Sequence, residues 1–147
     1  MTSERKIVPD NGLAADLHTA PQIHREDSVQ DAIIEEQYAR LVETVRDYNP
    51  AADFVHIESA YHFAKRCHEG QRRKSGEPYI IHPLAVAQIV AEELKLDSES
   101  IMAALLHDVI EDTGATHEDV ARIFSPTIAD LVEGVSKLTR IQYATKE

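Results

Sequence analysis

Apolar residues in this chain recur at spacings of three and four, and no segment sustains alternation at period two. Ile34, Tyr38, Leu41, Val45 and Tyr48 form one such stripe, and Phe54, Ile57, Tyr61, Ala64 and His68 form a second. That spacing gathers side chains on one face of an α-helix, whereas a half-buried strand needs strict alternation. The pattern leaves helix-on-helix packing as the way to build a core, and it predicts an all-α helical bundle with short connections. With three Phe, five Tyr and no Trp, the core must rest on Leu, Ile, Val and Ala.

Punctuation along the chain divides the helices. Residues 1–27 carry Pro9, Asn11, Gly12 and Pro21 without a hydrophobic period and are expected to form a flexible tail. The remainder, 28–147, is expected to be one domain, with Ser28 capping the first helix. Asn49-Pro50 is expected to end that helix and cap the second, and Gly70 to end the second. Residues 71–78 read as a polar loop. A third helix is expected from Pro83 to Leu94. A fourth, capped by Asp97 or Ser98, is expected to bury Ile101, Met102, Leu105, Leu106 and Val109 and to close at Thr113-Gly114. Thr116-x-x-Asp119 resembles a capping box opening a fifth helix with Val120, Ile123 and Phe124. Ser125-Pro126 opens a sixth, with Ile128, Leu131, Val132 and Val135 as its stripe.

Charge and cysteine narrow the function classes. Fifteen basic against 26 acidic residues leave −11, which argues against a general nucleic-acid binder, so no direct DNA binding is expected. Residues 70–82 are the exception, with Arg72, Arg73 and Lys74 against Glu77 giving +2, so the rest of the chain sums to −13. A small cationic island in an acidic protein suits an anionic ligand; a solvated basic loop is the alternative. The single cysteine, Cys67, excludes an internal disulfide framework and fits a cytoplasmic location. No apolar run approaches the roughly 20 residues of a membrane span.

The densest chemical feature is His107-Asp108 with Glu111-Asp112. On a helix these four positions span an arc of roughly 140°, with Leu105, Leu106 and Val109 facing largely the other way. Three carboxylates at the end of a helix oppose its macrodipole, which costs stability unless a cation sits against them. A divalent metal held by His107 and Asp108 would supply that charge, leaving Glu111 and Asp112 to handle protons or water. A solvated acidic helix end is the alternative. His82, before Pro83 and after Ile80-Ile81, could add a nitrogen ligand or serve as a structural histidine.

Two long motifs then carry a resemblance. The stretch Ala64-x-x-x-His68-x-Gly70-Gln71-x-Arg73-Lys74-Ser75-Gly76-Glu77-Pro78-Tyr79-Ile80-x-His82-Pro83 precedes Ala103-Ala104-Leu105-Leu106-His107-Asp108-Val109-Ile110-Glu111-Asp112-Thr113, and Val135-Ser136-Lys137-Leu138 follows. Over roughly residues 35–141 the chain resembles the N-terminal HD-type hydrolase domain of the RelA/SpoT family. The resemblance implies an HD-domain helical bundle that removes pyrophosphate from the 3′ position of guanosine tetra- and pentaphosphate, (p)ppGpp, using Mn²⁺. It implies His82, His107 and Asp108 as metal ligands and Glu111 and Asp112 as the acids that activate or orient the attacking water. Arg73, Lys74 and Ser75 match the loop that grips the nucleotide, with the arginine stacked on guanine. Arginine suits that task, because its guanidinium lies flat on a base while attracting phosphate.

The family continues with a Leu-Ala-Asp-Arg-Leu-His-Asn-like motif whose aspartate is a fourth metal ligand, and nothing like it lies between Lys137 and Glu147. The chain is therefore expected to be an amino-terminal piece of the hydrolase domain, with exposed helix faces that favour self-association. A non-catalytic HD-like module that binds a guanine nucleotide or regulates a partner is the alternative function.

Overall fold

The computed structural model describes the backbone of residues 21–146 and the side chains of residues 28–137. The chain divides into two compact units, Met1–Ile33 and Ile34–Glu147. Of the expected tail, residues 1–20 lie outside the described residues, but residues 21–27 are helical. Helix α1 spans Pro21–Tyr48 and so begins at Pro21 rather than Ser28. Proline's fixed φ suits a first helical turn, where its missing N–H costs nothing, and Gln22, Arg25 and Glu26 are good helix formers.

Within the second unit, α1 buries Ile34, Leu41 and Val45, with Tyr38 and Tyr48 packed at the edge of the core. Asn49 does not cap the next helix. Its carbonyl accepts from the Ala52 N–H at 3.0 Å, closing a turn, and Asp53 caps α2, Phe54–Cys67, by accepting from the His56 N–H at 3.1 Å. The α2 stripe buries Ile57, Tyr61, Ala64 and His68. Tyr61 stacks on Tyr38 with ring centroids 4.0 Å apart, and its hydroxyl donates to Glu35 Oε2 at 2.9 Å.

The polar run after Gly70 is a small closed hairpin rather than an irregular loop. The Tyr79 N–H donates to the Gln71 carbonyl at 2.9 Å, Arg73 N–H to Glu77 at 2.9 Å, and Gly76 N–H to Arg73 at 2.8 Å. Gly76 turns the tip at φ +96, a left-handed conformation that a Cβ would strain. Helix α3, Ile81–Ile89, starts ahead of the expected Pro83, because the Ile81 and His82 N–H groups already bond back to Pro78 and Tyr79. His82 thus sits inside the first turn. Beyond Ile89 the helix widens into a single π turn, Val90–Leu94, ended by Lys95 at φ 50.

Helix α4, Ser98–Leu106, is capped by Asp97, which accepts from the Ser100 N–H at 2.9 Å. Every residue from Ile101 to Leu106 is buried, which marks α4 as the central element. Helices α2 and α3 pack on it, as does α7, Pro126–Lys146. The expected continuation of α4 to Thr113 is interrupted. The chain passes His107 and Asp108 before resuming as α5, Val109–Asp112. There the His107 carbonyl accepts from Ser136 Oγ at 2.6 Å.

Thr116 and Asp119 form the expected capping box at α6, His117–Ile123, each side chain bonding the other's N–H at 3.1 Å. In α6, Val120 is buried but Ile123 is not; Phe124 packs edge-on against Phe63. The inward face of α7 is Ile128, Ala129, Val132 and Ser136, whereas the expected Leu131 is 38% exposed. Positions 128, 132 and 136 stack one turn apart, and a residue one place before 132 lies about 100° around the helix. No strand occurs among the described residues beyond the isolated bridge between Arg72 and Pro78. No described helix is long and apolar enough to cross a membrane.

Candidate metal centre

The interruption between α4 and α5 sets a histidine and an aspartate at the floor of the centre. His107 is buried, and its Nδ1 lies 2.7 Å from the Ala104 carbonyl. A carbonyl can only accept, so Nδ1 carries hydrogen and Nε2 turns outward, 3.1 Å from Asp108 Oδ2. From the first turn of α3, His82 brings its Nε2 to 3.3 Å from the same oxygen. One ligand atom from each of His82, His107 and Asp108 lies within 4.8 Å of the others.

The electrostatics of this trio are those of a cation site. Burial favours the neutral Asp108 carboxyl, but hydrogen bonds from His107 and His82 outweigh it and hold the group well below the usual carboxylate range. Burial likewise opposes charge on His107, and Asp108 overrides it and raises the imidazole. Two imidazole nitrogens and a carboxylate oxygen suit a divalent first-row ion, and a ligand histidine fixed at Nδ1 by a backbone carbonyl has the outer-shell support that such ions use. The residues present fit a divalent metal.

Around the trio, the hairpin and α7 contribute further contacts. Arg73 Nη1 approaches His82 Nδ1 at 3.4 Å. The Tyr79 hydroxyl lies 3.0 Å from Asp108 Oδ2 and 3.1 Å from Asp112 Oδ2; burial and these carboxylates push its ionisation up. The Tyr79 ring packs on buried His68, centroids 4.8 Å apart. His68 Nδ1 meets Gln71 Oε1 at 2.9 Å, while its buried Nε2 has no hydrogen-bond partner among the described residues. Of the residues singled out from sequence, His82, His107 and Asp108 converge, Asp112 joins them through Tyr79, and Glu111 is exposed on α5. Arg73 reaches His82, whereas Lys74 and Ser75 occupy the exposed hairpin tip. Tyr79 and Ser136 stand out in the sequence only as members of the quoted motifs, with no contact foreseeable for either. A polar residue inside the apolar stripe of α7 was the available signal for Ser136.

A second potential ligand group, half-buried His117 with exposed Asp130 and Glu133, lies between α6 and α7. There the imidazole already pairs with Asp130 at 2.9 Å.

A family profile described as HD domain matches residues 60–147, a stretch that contains the whole trio. The chain belongs to the HD domain family. Among proteins similar to this HD domain is the bifunctional (p)ppGpp synthase/hydrolase SpoT of Escherichia coli K12, 50% identical over 110 residues, which are 75% of this chain and 16% of that protein. A guanosine-3′,5′-bis(diphosphate) 3′-pyrophosphohydrolase of Aquifex aeolicus is 53% identical over 91 residues, 62% of this chain and 13% of its own length. A solved structure of a metazoan ortholog of SpoT, described as hydrolysing ppGpp and acting in starvation responses, is similar at 39% identity and TM-score 0.50 over 52% of this chain and 44% of that one. The HD domain chain therefore spans about a sixth of the E. coli protein it matches.

Proposed function

We propose that this chain is hydrolase machinery of a RelA/SpoT-type protein, a guanosine 3′,5′-bis(diphosphate) 3′-pyrophosphohydrolase that releases pyrophosphate from (p)ppGpp with Mn²⁺. The observation that carries the reading is the convergence of His82, His107 and Asp108 on a few ångströms of space beside Arg73. The activities for which the E. coli, Aquifex and metazoan relatives are named support it.

In this reading His107 Nε2, His82 Nε2 and the Asp108 carboxylate hold the ion. When bound, the ion supplies Lewis acidity, making water a better nucleophile at neutral pH and drawing charge from a phosphoryl oxygen. Asp112 and Glu111, one turn beyond Asp108 and His107, accept the proton of the attacking water and hold it in line. Arg73 stacks on the guanine, and Lys74 and Ser75 meet phosphate oxygens from the hairpin tip. The local +2 of residues 70–82 draws in a polyanion that the remaining −13 would repel. A cytoplasmic setting fits the free thiol of Cys67.

The deciding experiment measures pyrophosphate release from guanosine tetraphosphate with and without Mn²⁺, on this chain and on one extended past Glu147. Release that requires Mn²⁺ is expected. An extended chain that binds metal and nucleotide yet releases nothing would establish the non-catalytic module instead.

A further inference from the structure

We propose that Tyr79 is a positioning residue that locks the cationic hairpin to the metal centre, its one hydroxyl holding the carboxylates of Asp108 and Asp112 in register. The inference rests on reading His82, His107 and Asp108 as the metal site, and it assigns a part to a residue outside the ligand set.

Three different parts of Tyr79 are engaged at once. Its backbone N–H closes the hairpin on the Gln71 carbonyl at 2.9 Å, and its carbonyl receives the His82 N–H at 2.9 Å, which starts α3. Its ring lies on buried His68 on one side and meets the His82 ring edge-on at 5.7 Å on the other. Its hydroxyl, at 3.0 and 3.1 Å from two carboxylate oxygens, has one hydrogen to share between them. The residue therefore touches the hairpin that carries Arg73, the ligand His82, the ligand Asp108 and the acid Asp112.

The physical consequence concerns the two carboxylates. Without a donor between them, Asp108 and Asp112 are like charges near one point, and each side chain turns away toward water. With the hydroxyl in place, Asp108 presents Oδ2 to the two imidazoles while Asp112 stays beside it. Outer partners of this kind orient ligands, and losing one commonly weakens metal binding by about 10–100-fold. Because the same residue closes the hairpin, a shift of the Arg73 loop on taking up an anion is transmitted to the carboxylate pair.

The test is a Mn²⁺ titration by calorimetry on the 147-residue chain, with Tyr79→Phe, Asp112→Asn and the double variant. Tyr79→Phe keeps the ring on His68 and removes only the hydroxyl. It is expected to bind Mn²⁺ at least about 10-fold more weakly while keeping the parent's metal-free circular-dichroism spectrum. The two substitutions should be non-additive, because they break one shared hydrogen bond. Parent-like affinity in Tyr79→Phe, or strict additivity, overturns the proposal. On the unsubstituted protein, the carbon-13 resonance of Tyr79 Cζ should move with Zn²⁺ occupancy, and a fixed resonance overturns it even if the variant misfolds. A parent that binds neither ion refutes the metal reading itself and this inference with it; a parent that binds while Tyr79→Phe binds equally refutes only the inference.

Discussion

Asp108 concentrates more of the centre's electrostatics than any residue near it. One of its oxygens meets His82, His107 and Tyr79 at 3.0–3.3 Å. Asp108→Ala removes the anionic ligand and leaves the imidazoles facing each other, so calorimetric Mn²⁺ binding is expected to vanish; a variant that binds as the parent does would refute the ligand assignment. Ser136 acts on the other side of the same peptide. Ser136→Ala leaves the His107 carbonyl, buried beneath α7, without its donor, at a cost of about 1–3 kcal/mol in urea unfolding; an unchanged midpoint would show that the bond contributes nothing. At this scale the sequence was readable where chemistry is carried by residue type. A His-Asp pair with two more acids one turn on is visible in the string, and so is a cluster of two Arg and a Lys. Tyr79 was less readable, because its hydroxyl contacts lie 29 and 33 residues away, and no local pattern reports such partners.

Among the elements, local chemistry was the more legible the more local its cause. The Thr116–Asp119 capping box is legible in sequence, as is a cap at Asp97 or Ser98, of which the structure uses Asp97, since a cap depends on residues three apart. The Asn49 cap failed because Asn-Pro serves a turn equally well and Asp53 lay within reach. The gap between α4 and α5 escaped the periodicity, because backbone dihedrals at His107 and Asp108 stay near the helical region and the contact made there, by Ser136, comes from another helix. The caps also yield a pH prediction. Bonds from the first-turn N–H groups of His56 and Ser100 hold the Asp53 and Asp97 carboxyls below their usual value, and the N–H of the cap residue Thr116 does the same for Asp119. A carboxyl depressed in the folded chain contributes stability above its unfolded value and loses it as pH falls through the folded one. Asp97→Ala is therefore expected to cost about 1 kcal/mol at pH 7, with the gap between parent and variant closing as pH falls below the ordinary aspartate value of about 3.9. Thermal melts of both proteins at neutral and acid pH would check it, and a gap independent of pH would contradict the capping role.

For the whole molecule, the stripes were enough for an all-α bundle; the fourth helix read as one with a single buried face, whereas the structure buries Ile101–Leu106 all round, as an element apolar on every side allows. The net charge of −11, read first as an exclusion of polyanions, describes only the average, since the hairpin stands apart from it. The metal centre is likewise a property of the assembled chain. Tyr79 and Asp108, and again His107 and Ser136, meet across 29 residues of sequence, so an unfolded chain offers an ion no comparable grip. An ion that recognises only the native state must tighten it by mass action, by about 2.7 kcal/mol at a hundredfold excess over its dissociation constant. Mn²⁺ should therefore raise the melting temperature of the parent and leave that of Asp108→Ala unmoved. On the proposed metal reading, the interruption between α4 and α5 would tie metal availability to how long the folded chain persists, and depletion of the ion would be felt first as unfolding and turnover of the protein.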